Sequence, residues 1–393
     1  MNPYTQISRT PGSQWLLAAL LVVSGSLPGF PPQMADSAPL AGSNVATDTG
    51  ETGRTYRSAR EYALDGSWSE AGRSPSCSRL AEAVASPPAE PPVTLADLLP
   101  TVKPQLMVWG YEDAGHFNLP RGIAFDPKDG SIVVANSGDH RIAFFSSTGR
   151  PLLQVVHRVT RPDGKEADGI PGSLAFDGSG QLLVVDSYAN YVDVIDRRGR
   201  SLDRLVIPAG RPSCVTTSRS GAIYVGTSGA TSTIYRFNPD HSPAGSWGQT
   251  GLEPGQLTDV TAIAELPEGN IAVGSARGKF GIQIFTPDGA YVRGFGIHDL
   301  APGNLSLPTG IVGSADGRIW VSDEIRQTIE VFTADGAYIA PVSGSGDPFG
   351  DFSYPSSLAT DGKGLIAVTE RGSGRFQVMS ISKHEEVSAG EKL

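Results

Sequence analysis

Gly138-Asp139-His140-Arg141 places an acid, an imidazole and a guanidinium side by side, the residue types of general acid–base chemistry. Related segments recur in the chain, and Asn190 and Gln327 stand at the position of His140 when the preceding apolar strands are aligned. Amide side chains do not act as acids or bases at neutral pH, but they donate and accept hydrogen bonds. The cluster is therefore predicted to stabilise a turn, and the search for chemistry moves to Arg121, at the other end of the same repeat.

The sequence that positions these residues is repetitive. Each repeat contains a predicted strand, a Gly-containing turn, a second and more apolar strand, a third strand and, in most repeats, a fourth. Four short antiparallel strands repeated six times predict an all-β fold, a six-bladed β-propeller. The second strands begin 41 to 50 residues apart, at Ser131, Gln181, Ala222, Asn270, Arg318 and Leu365.

The two ends of the repetitive region predict how the ring closes. The last repeat lacks a clear fourth strand, whereas Gln105 to Trp109, ahead of the first repeat, has the form of one. We expect this N-terminal strand to complete the last blade and to remove its open edge. The predicted organisation is a signal segment at 1–35, a flexible low-complexity tether at 36–103, the propeller at 104–383 and a tail at 384–393.

The first repeat resembles the NHL family of six-bladed propellers. The matching pattern includes Pro-x-Gly-Ile, then Asp, Gly, an apolar strand, Asn-Ser and His-Arg-Ile. The resemblance extends over about residues 104 to 383 and implies the fold more strongly than the function, because such propellers serve as enzymes, sensors and docking platforms. The residues that carry it are Pro120, Gly122, Asp126, Gly130, Asn136, Ser137, His140, Arg141 and Ile142.

One set of candidate residues lies between Pro and Gly before each innermost strand, where antiparallel geometry places them at one mouth of the central channel. Calcium-dependent lactonases similar to gluconolactonase keep Glu, Asn and Asp ligands near this entrance, and peptidyl-amidoglycolate lyases keep histidines. Neither set is present here. Arg121 instead predicts a site for a carboxylate or phosphate, with Ser213, Thr309 and Ser356 as further ligand-binding candidates, unless Arg121 only stacks over neighbouring loops. The full set is Arg121, Gly172, Ser213, Val260, Thr309 and Ser356.

The last residue of each second strand forms the other candidate set. Asn136, Asp186, Asp323 and Glu370 are of the types that bind a hard cation, which makes calcium the alternative to the absence of any cofactor. The same residue types at a strand end accept hydrogen bonds from nearby backbone N–H groups and fix a turn. Thr227 and Ser275, at the equivalent positions, favour the turn role because they are poor calcium ligands.

The remaining candidates are dispersed. His116, His157, His241 and His298 fall in different predicted loops and are expected at the surface. The segment His157 to Pro171 lengthens the first connection between blades and is either a binding surface or a plain solvated loop. Cys214 falls in a predicted inner strand, which favours a buried free thiol over pairing with Cys77.

Composition and the N-terminus indicate the compartment and exclude one class of partner. The net charge is −10 without a dense basic run, so nucleic acid is not expected as a partner. Arg9 precedes an apolar run, Trp15 to Val23, which is typical of an export signal and too short to span a bilayer.

We therefore expect a secreted or periplasmic monomer that docks a protein or envelope component without catalysis. The alternative is a metal-dependent lactonase-like or lyase-like enzyme acting at the channel mouth.

Overall fold

A computed structural model describes residues 99–111, 115–342 and 350–382. The predicted signal segment, nearly all of the tether, the tail and Cys77 lie outside these residues. Among those described, no helix is long and apolar enough to cross a membrane. Six four-stranded antiparallel sheets account for the predicted six blades, so the all-β propeller is confirmed.

Blades 1 to 5 run from the innermost strand outward in chain order, whereas the outermost strand of blade 6 is β1. Blades 1 to 3 contain β4 (Pro120–Phe125), β5 (Ile132–Asn136), β6 (Arg141–Phe145) and β7 (Pro151–Val156); β10 (Pro171–Phe176), β11 (Leu182–Asp186), β12 (Tyr191–Ile195) and β13 (Ser201–Val206); and β14 (Arg211–Thr217), β15 (Ile223–Ser228), β16 (Ile234–Phe237) and β17 (Pro243–Trp247). Blades 4 to 6 contain β20 (Val260–Glu265), β21 (Ile271–Ser275), β22 (Ile282–Phe285) and β23 (Tyr291–Phe295); β24 (Pro308–Gly313), β25 (Ile319–Asp323), β26 (Thr328–Phe332) and β27 (Tyr338–Val342); and β28 (Pro355–Thr360), β29 (Leu365–Glu370), β30 (Arg375–Ser382) and β1 (Thr101–Val108).

Smaller elements lie in the connections. Three two-stranded ladders and one 3₁₀ helix, Ser137–Asp139, are found in the described part of the chain. The ladders are β2 (Gly110–Tyr111) with β3 (Gly115–His116), β8 (Arg158–Thr160) with β9 (Glu166–Asp168), and β18 (Gln249–Thr250) with β19 (Gln256–Leu257).

The second strands are apolar because neighbouring blades cover both of their faces. Every residue of β5 and β11 is buried, as predicted from the apolar runs. Between blades 6 and 1, Phe145 packs against Phe117 and Phe376, with ring centroids 5.7 and 5.3 Å apart. Burial of such clusters between every pair of blades stabilises the ring.

The ring closes as predicted. Strand β1 is the outermost strand of blade 6 and pairs antiparallel with β30, from Thr101 opposite Ser382 to Val108 opposite Phe376. It begins at Thr101, three residues before residue 104, where the repetitive region was expected to begin. The register shifts between Pro104 and Leu106, and such irregularities accommodate a proline inside a strand.

Candidate functional site

The beginnings of the first strands and the ends of the second strands lie at one face of the ring, here called the mouth face. Pro120 pairs with Asn136, and Pro355 pairs with Glu370. Blades 2, 3 and 5 repeat this register at Pro171–Asp186, Pro212–Thr227 and Pro308–Asp323. Both candidate sets are therefore held at the same face by strand pairing alone.

The residues predicted between Pro and Gly line the central channel. A cavity of about 670 Å³ along the channel is bordered by Arg121, Ser213, Thr309 and Ser356. The assignment in the fourth repeat was one residue early, because this repeat has no proline to mark the position. Val260, and not a proline, pairs with Ser275, so Thr261 is the equivalent of Arg121.

Two of the predicted hydroxyl ligands connect neighbouring blades. Ser213 Oγ donates to the carbonyl oxygen of Val260 at 2.6 Å, and Thr309 Oγ1 donates to that of Pro355 at 2.9 Å. In each case the acceptor begins the innermost strand of the next blade. A hydroxyl has a single proton to donate, so these two side chains can only accept a further hydrogen bond from a ligand.

Arg121 differs from the other members of this set. Its side chain is half-buried at the cavity wall, and no described residue forms a hydrogen bond or ion pair with its guanidinium. Burial lowers the pKa of Arg121, the charge of Arg371 lowers it further, and Glu324 opposes the change. An arginine remains charged despite such a shift, so the channel mouth presents a cation with unused donors.

Glu324 and Arg371 complete the charged group and were missed by the sequence analysis. Arg371 Nη1 donates to Glu324 Oε1 at 2.5 Å, while the buried Nε of Arg371 has no hydrogen-bond partner in the described residues. Burial raises the pKa of Glu324, and Arg371 and Arg121 oppose this rise. Glu324 and Arg371 directly follow the ends of β25 and β29, and the residues aligned with them in the first four repeats are Ser137, Ser187, Ser228 and Ala276.

The candidate metal ligands end four different second strands and do not border the cavity. Asn136 Oδ1 accepts from the backbone N of Asn118 at 2.8 Å, and Asp186 Oδ1 accepts from that of Tyr188 at 2.7 Å. Asp323 accepts from three backbone N–H groups, of Ser306, Leu307 and Arg326.

Glu370 accepts from the backbone N of Ser353, from Ser373 Oγ, from Arg375 Nε and from Gln377 Nε2. These contacts are those expected of residues that fix turns. Across the three described ranges, no three His, Cys, Asp or Glu side chains are grouped so as to hold a metal ion.

The Gly138-Asp139-His140-Arg141 cluster forms hydrogen bonds of the turn-stabilising kind. Asp139 accepts from the side-chain amides of Asn118 and Asn136, at 3.0 and 2.9 Å. His140 has a left-handed φ of 59° and its Nδ1 lies 2.6 Å from the carbonyl oxygen of Gly169. Gln327, at the equivalent position of blade 5, has a φ of 58°. The shared conformation supports the alignment of the repeats.

His157 was expected at the surface but is 4% exposed. Its Nε2 lies 3.5 Å from Asp186 Oδ2, and burial lowers the pKa of His157 to about 4. The long first connection folds into the β8–β9 hairpin, which encloses the histidine at its base, and no periodicity in a loop sequence signals this burial. His241 is also held, with its two ring nitrogens 3.0 and 2.9 Å from Asp177 and Asp203.

Comparison with known proteins supports the architecture. Residues 117–145 match the NHL repeat. Comparison with curated proteins gave no match.

Among solved structures, a gluconolactonase from Xanthomonas campestris is 17% identical with a TM-score of 0.50, covering 67% of this chain and 86% of its own. Virginiamycin B lyase from Staphylococcus aureus is 15% identical with a TM-score of 0.50, covering 73% and 89%. A protein of unknown function from Bacteroides thetaiotaomicron is 15% identical with a TM-score of 0.53, covering 72% and 76%. At these identities the likeness shows the propeller fold alone.

Proposed function

We propose that the chain is an extracytoplasmic binding propeller whose mouth face docks an anionic group of a protein or envelope partner. The observation that carries this proposal is the guanidinium of Arg121, half-buried at the channel mouth and without a partner among the described residues. A carboxylate or phosphate would accept charge-assisted hydrogen bonds from it, and partial burial limits the screening of this interaction by water.

Arg371 adds to this recognition, while Glu324 limits it. Glu324 engages one nitrogen of Arg371 and orients that side chain beside the cavity. A bound anion would approach two guanidinium groups and one carboxylate, which favours negative ligands over positive ones. The long loops of a propeller face are common binding surfaces, so the site is placed where a large partner can reach it.

The metal-dependent enzyme remains the alternative function, and the donor set at the mouth does not fit its metal. Calcium needs several oxygen ligands and zinc needs three or four N, S or O ligands. The mouth offers hydroxyls, of which two are engaged between blades, and the carboxylates of Glu324 and Asp259, which are paired with Arg371 and Arg277. The cations Arg121 and Arg371 repel a divalent ion. One tightly bound calcium or zinc per chain, measured by elemental analysis of purified protein, would favour the enzyme.

Titration calorimetry with sodium phosphate and sodium acetate tests the docking proposal. We expect saturable binding of at least one of these anions to the unmodified protein, weakening as salt increases. Arg121→Ala should weaken it by roughly 10- to 100-fold, the loss expected for one charge-assisted hydrogen-bonding group.

Arg198→Ala is the matched control, since Arg198 is an exposed arginine in the turn between β12 and β13, at the opposite face. Equal affinities in the Arg121 and Arg198 variants would contradict the proposed site.

A further inference from the structure

Large apolar side chains are exposed on the mouth face in four consecutive blades. Leu119 of blade 1, Tyr188 of blade 2, Ile325 of blade 5 and Tyr354 of blade 6 are 47, 40, 58 and 48% exposed. Blades 5, 6, 1 and 2 follow one another around the ring, so these residues form one sector, here called the apolar crescent. Clustered exposed apolar residues commonly mark an interaction site.

The apolar crescent adjoins the charged group of the channel mouth. The backbone N of Arg371 donates to the carbonyl oxygen of Tyr354 at 3.0 Å. Ile325 directly follows Glu324, and Leu119 stands two residues before Arg121. Apolar side chains therefore flank the pair of guanidinium groups on both sides, two on blades 5 and 6 and two on blades 1 and 2.

Blades 3 and 4 interrupt the apolar crescent with Gly and charged residues, three of which bind one another. Their equivalent positions carry Arg211, Gly229, Asp259 and Arg277. Asp259 accepts from the backbone N of Gly229 at 2.9 Å and from Arg277 Nη2 at 2.5 Å. At these inner positions the mouth face is apolar in blades 5, 6, 1 and 2 and polar in blades 3 and 4. Further exposed apolar side chains, Leu252, Ile297 and Leu300, lie in the connections that follow the fourth strands of blades 3 and 4.

We propose that the mouth face docks a peptide segment in which an acidic side chain is flanked on both sides by large apolar side chains. This inference rests on the proposed anion site, because the acid would be held by Arg121 and Arg371. The two-sided apolar crescent favours an internal Asp or Glu over a chain-terminal carboxylate, which has peptide neighbours on one side only. Charge complementarity fixes the acid, and burial of the flanking side chains supplies further affinity.

A defined peptide library tests this substrate class. The library consists of N-acetylated tripeptide amides with Glu or Gln in the centre and Ala, Leu, Phe, Tyr, Ser or Lys at each flank. We expect selection of Glu over Gln and of Leu, Phe or Tyr over Ser and Lys at both flanks. The comparison also includes acetate and inorganic phosphate. A second set of peptides carries an apolar residue followed by a free C-terminal carboxylate.

Variants separate the apolar crescent from the charged group. Ile325→Ser combined with Tyr354→Ser should weaken the selected peptides about tenfold while leaving acetate binding unchanged. Leu252→Ser is the matched control, because Leu252 is an exposed leucine in the connection between blades 3 and 4, 58% exposed. It should leave both affinities unchanged.

The outcomes distinguish the two proposals. Binding of acetate or phosphate without any flank preference would overturn the peptide inference and leave the anion site intact. Preference for the free C-terminal set would replace the internal acid with a chain end. Absence of binding by every Glu peptide and by both simple anions would overturn the anion site itself. Self-association in sedimentation velocity that the double variant abolishes would assign the apolar crescent to a second copy of this chain.

Discussion

Glu370 is a buried acid whose hydrogen bonds hold together the loop, turn and third strand of blade 6. The residue is 0% exposed, and Arg375, whose Nε donates to it at 2.7 Å, is 5% exposed. Glu370→Ala would remove the carboxylate from a buried arginine. We expect the free energy of unfolding, measured by urea denaturation, to fall by about 3 to 5 kcal/mol.

Glu253→Ala serves as the control for this change, since Glu253 is exposed. It should alter stability by less than about 0.5 kcal/mol. A small effect of Glu370→Ala, similar to that of the control, would show that the network around Glu370 contributes little to folding. In that case the turn role assigned to the second-strand ends would need revision.

Asp193 makes stability depend on pH in a direction opposite to that of an ion-paired acid. Burial raises the pKa of Asp193 to about 6, against the opposing effects of the Ser201 hydroxyl and of Arg204. Between about pH 4 and 6 the unfolded chain has lost this proton while the folded protein keeps it, so stability falls as pH rises through this window. Asp193→Asn should melt at the wild-type temperature at pH 4 and a few degrees higher at pH 8.

Comparison of the two proteins at the same pH isolates Asp193. His157, with its pKa lowered to about 4, contributes the opposite trend, because its folded form resists protonation as pH falls from 6.5. This contribution is present in both proteins and cancels in the difference. A constant difference in melting temperature between pH 4 and 8 would contradict the raised pKa.

The sequence located single residues best where the repeat contains a proline. Proline before the innermost strand identified Arg121, and the end of the apolar strand identified Asn136, Asp186, Asp323 and Glu370. Glu324 and Arg371 were missed because only the last residue of each second strand was considered, whereas the next residue reaches the cavity in blades 5 and 6. The partnering of Ser213 with Val260 depends on the distance between blades, which periodicity within one repeat does not contain.

Among the elements, strand β1 has a structural role separate from any ligand. It covers the edge of β30 along its length, from Thr101 to Val108. A variant that begins at Trp109 would leave this edge unpaired, and unpaired edges promote association with other chains. We expect it to melt roughly 10 °C lower and to elute as dimers or larger species in size-exclusion chromatography.

A variant that begins at Leu99 is the control for the truncation, because it keeps the whole of β1. It should elute as a monomer and melt at the temperature of the full chain. If the variant that begins at Trp109 also remained monomeric with an unchanged melting temperature, closure by β1 would contribute nothing to the ring.

The number and order of the strands could be predicted from the sequence. Each second strand is covered by a neighbouring blade on both faces and must be apolar, and Gly-containing turns separate the strands of each repeat. Three details depend on tertiary packing and were not predicted correctly or at all. Pro104 lies inside β1, Thr261 replaces Val260 at the channel, and the first connection folds into the β8–β9 hairpin. The first reflects a register shift, the second the absence of a proline marker in the fourth repeat, and the third a local hairpin that lies outside the repeat pattern.

In the propeller as a whole, β1 begins and β30 ends at the face opposite the mouth face. Thr101 pairs with Ser382, and Ser380 pairs with Leu365 at the start of β29. Strand β29 ends at the mouth face with Glu370, so its start lies at the other face. Thr101 and Ser382, the outer ends of the closing strand pair, therefore lie away from Arg121.

The proposed anion site predicts which face contacts the partner in the cell. A photo-crosslinking side chain at Ile325 on the mouth face should capture a specific partner, and Lys363, in the turn between β28 and β29, provides the matched position on the opposite face. Adding Arg121→Ala to the Ile325 probe should abolish the adduct, because the charged group supplies the contact that holds the partner there. Mass spectrometry of the adducts identifies the partner and its crosslinked segment. An adduct formed from Lys363 but not from Ile325 would assign docking to the opposite face. An Ile325 adduct that persists in the Arg121→Ala protein would show that the apolar crescent binds the partner independently of the anion site.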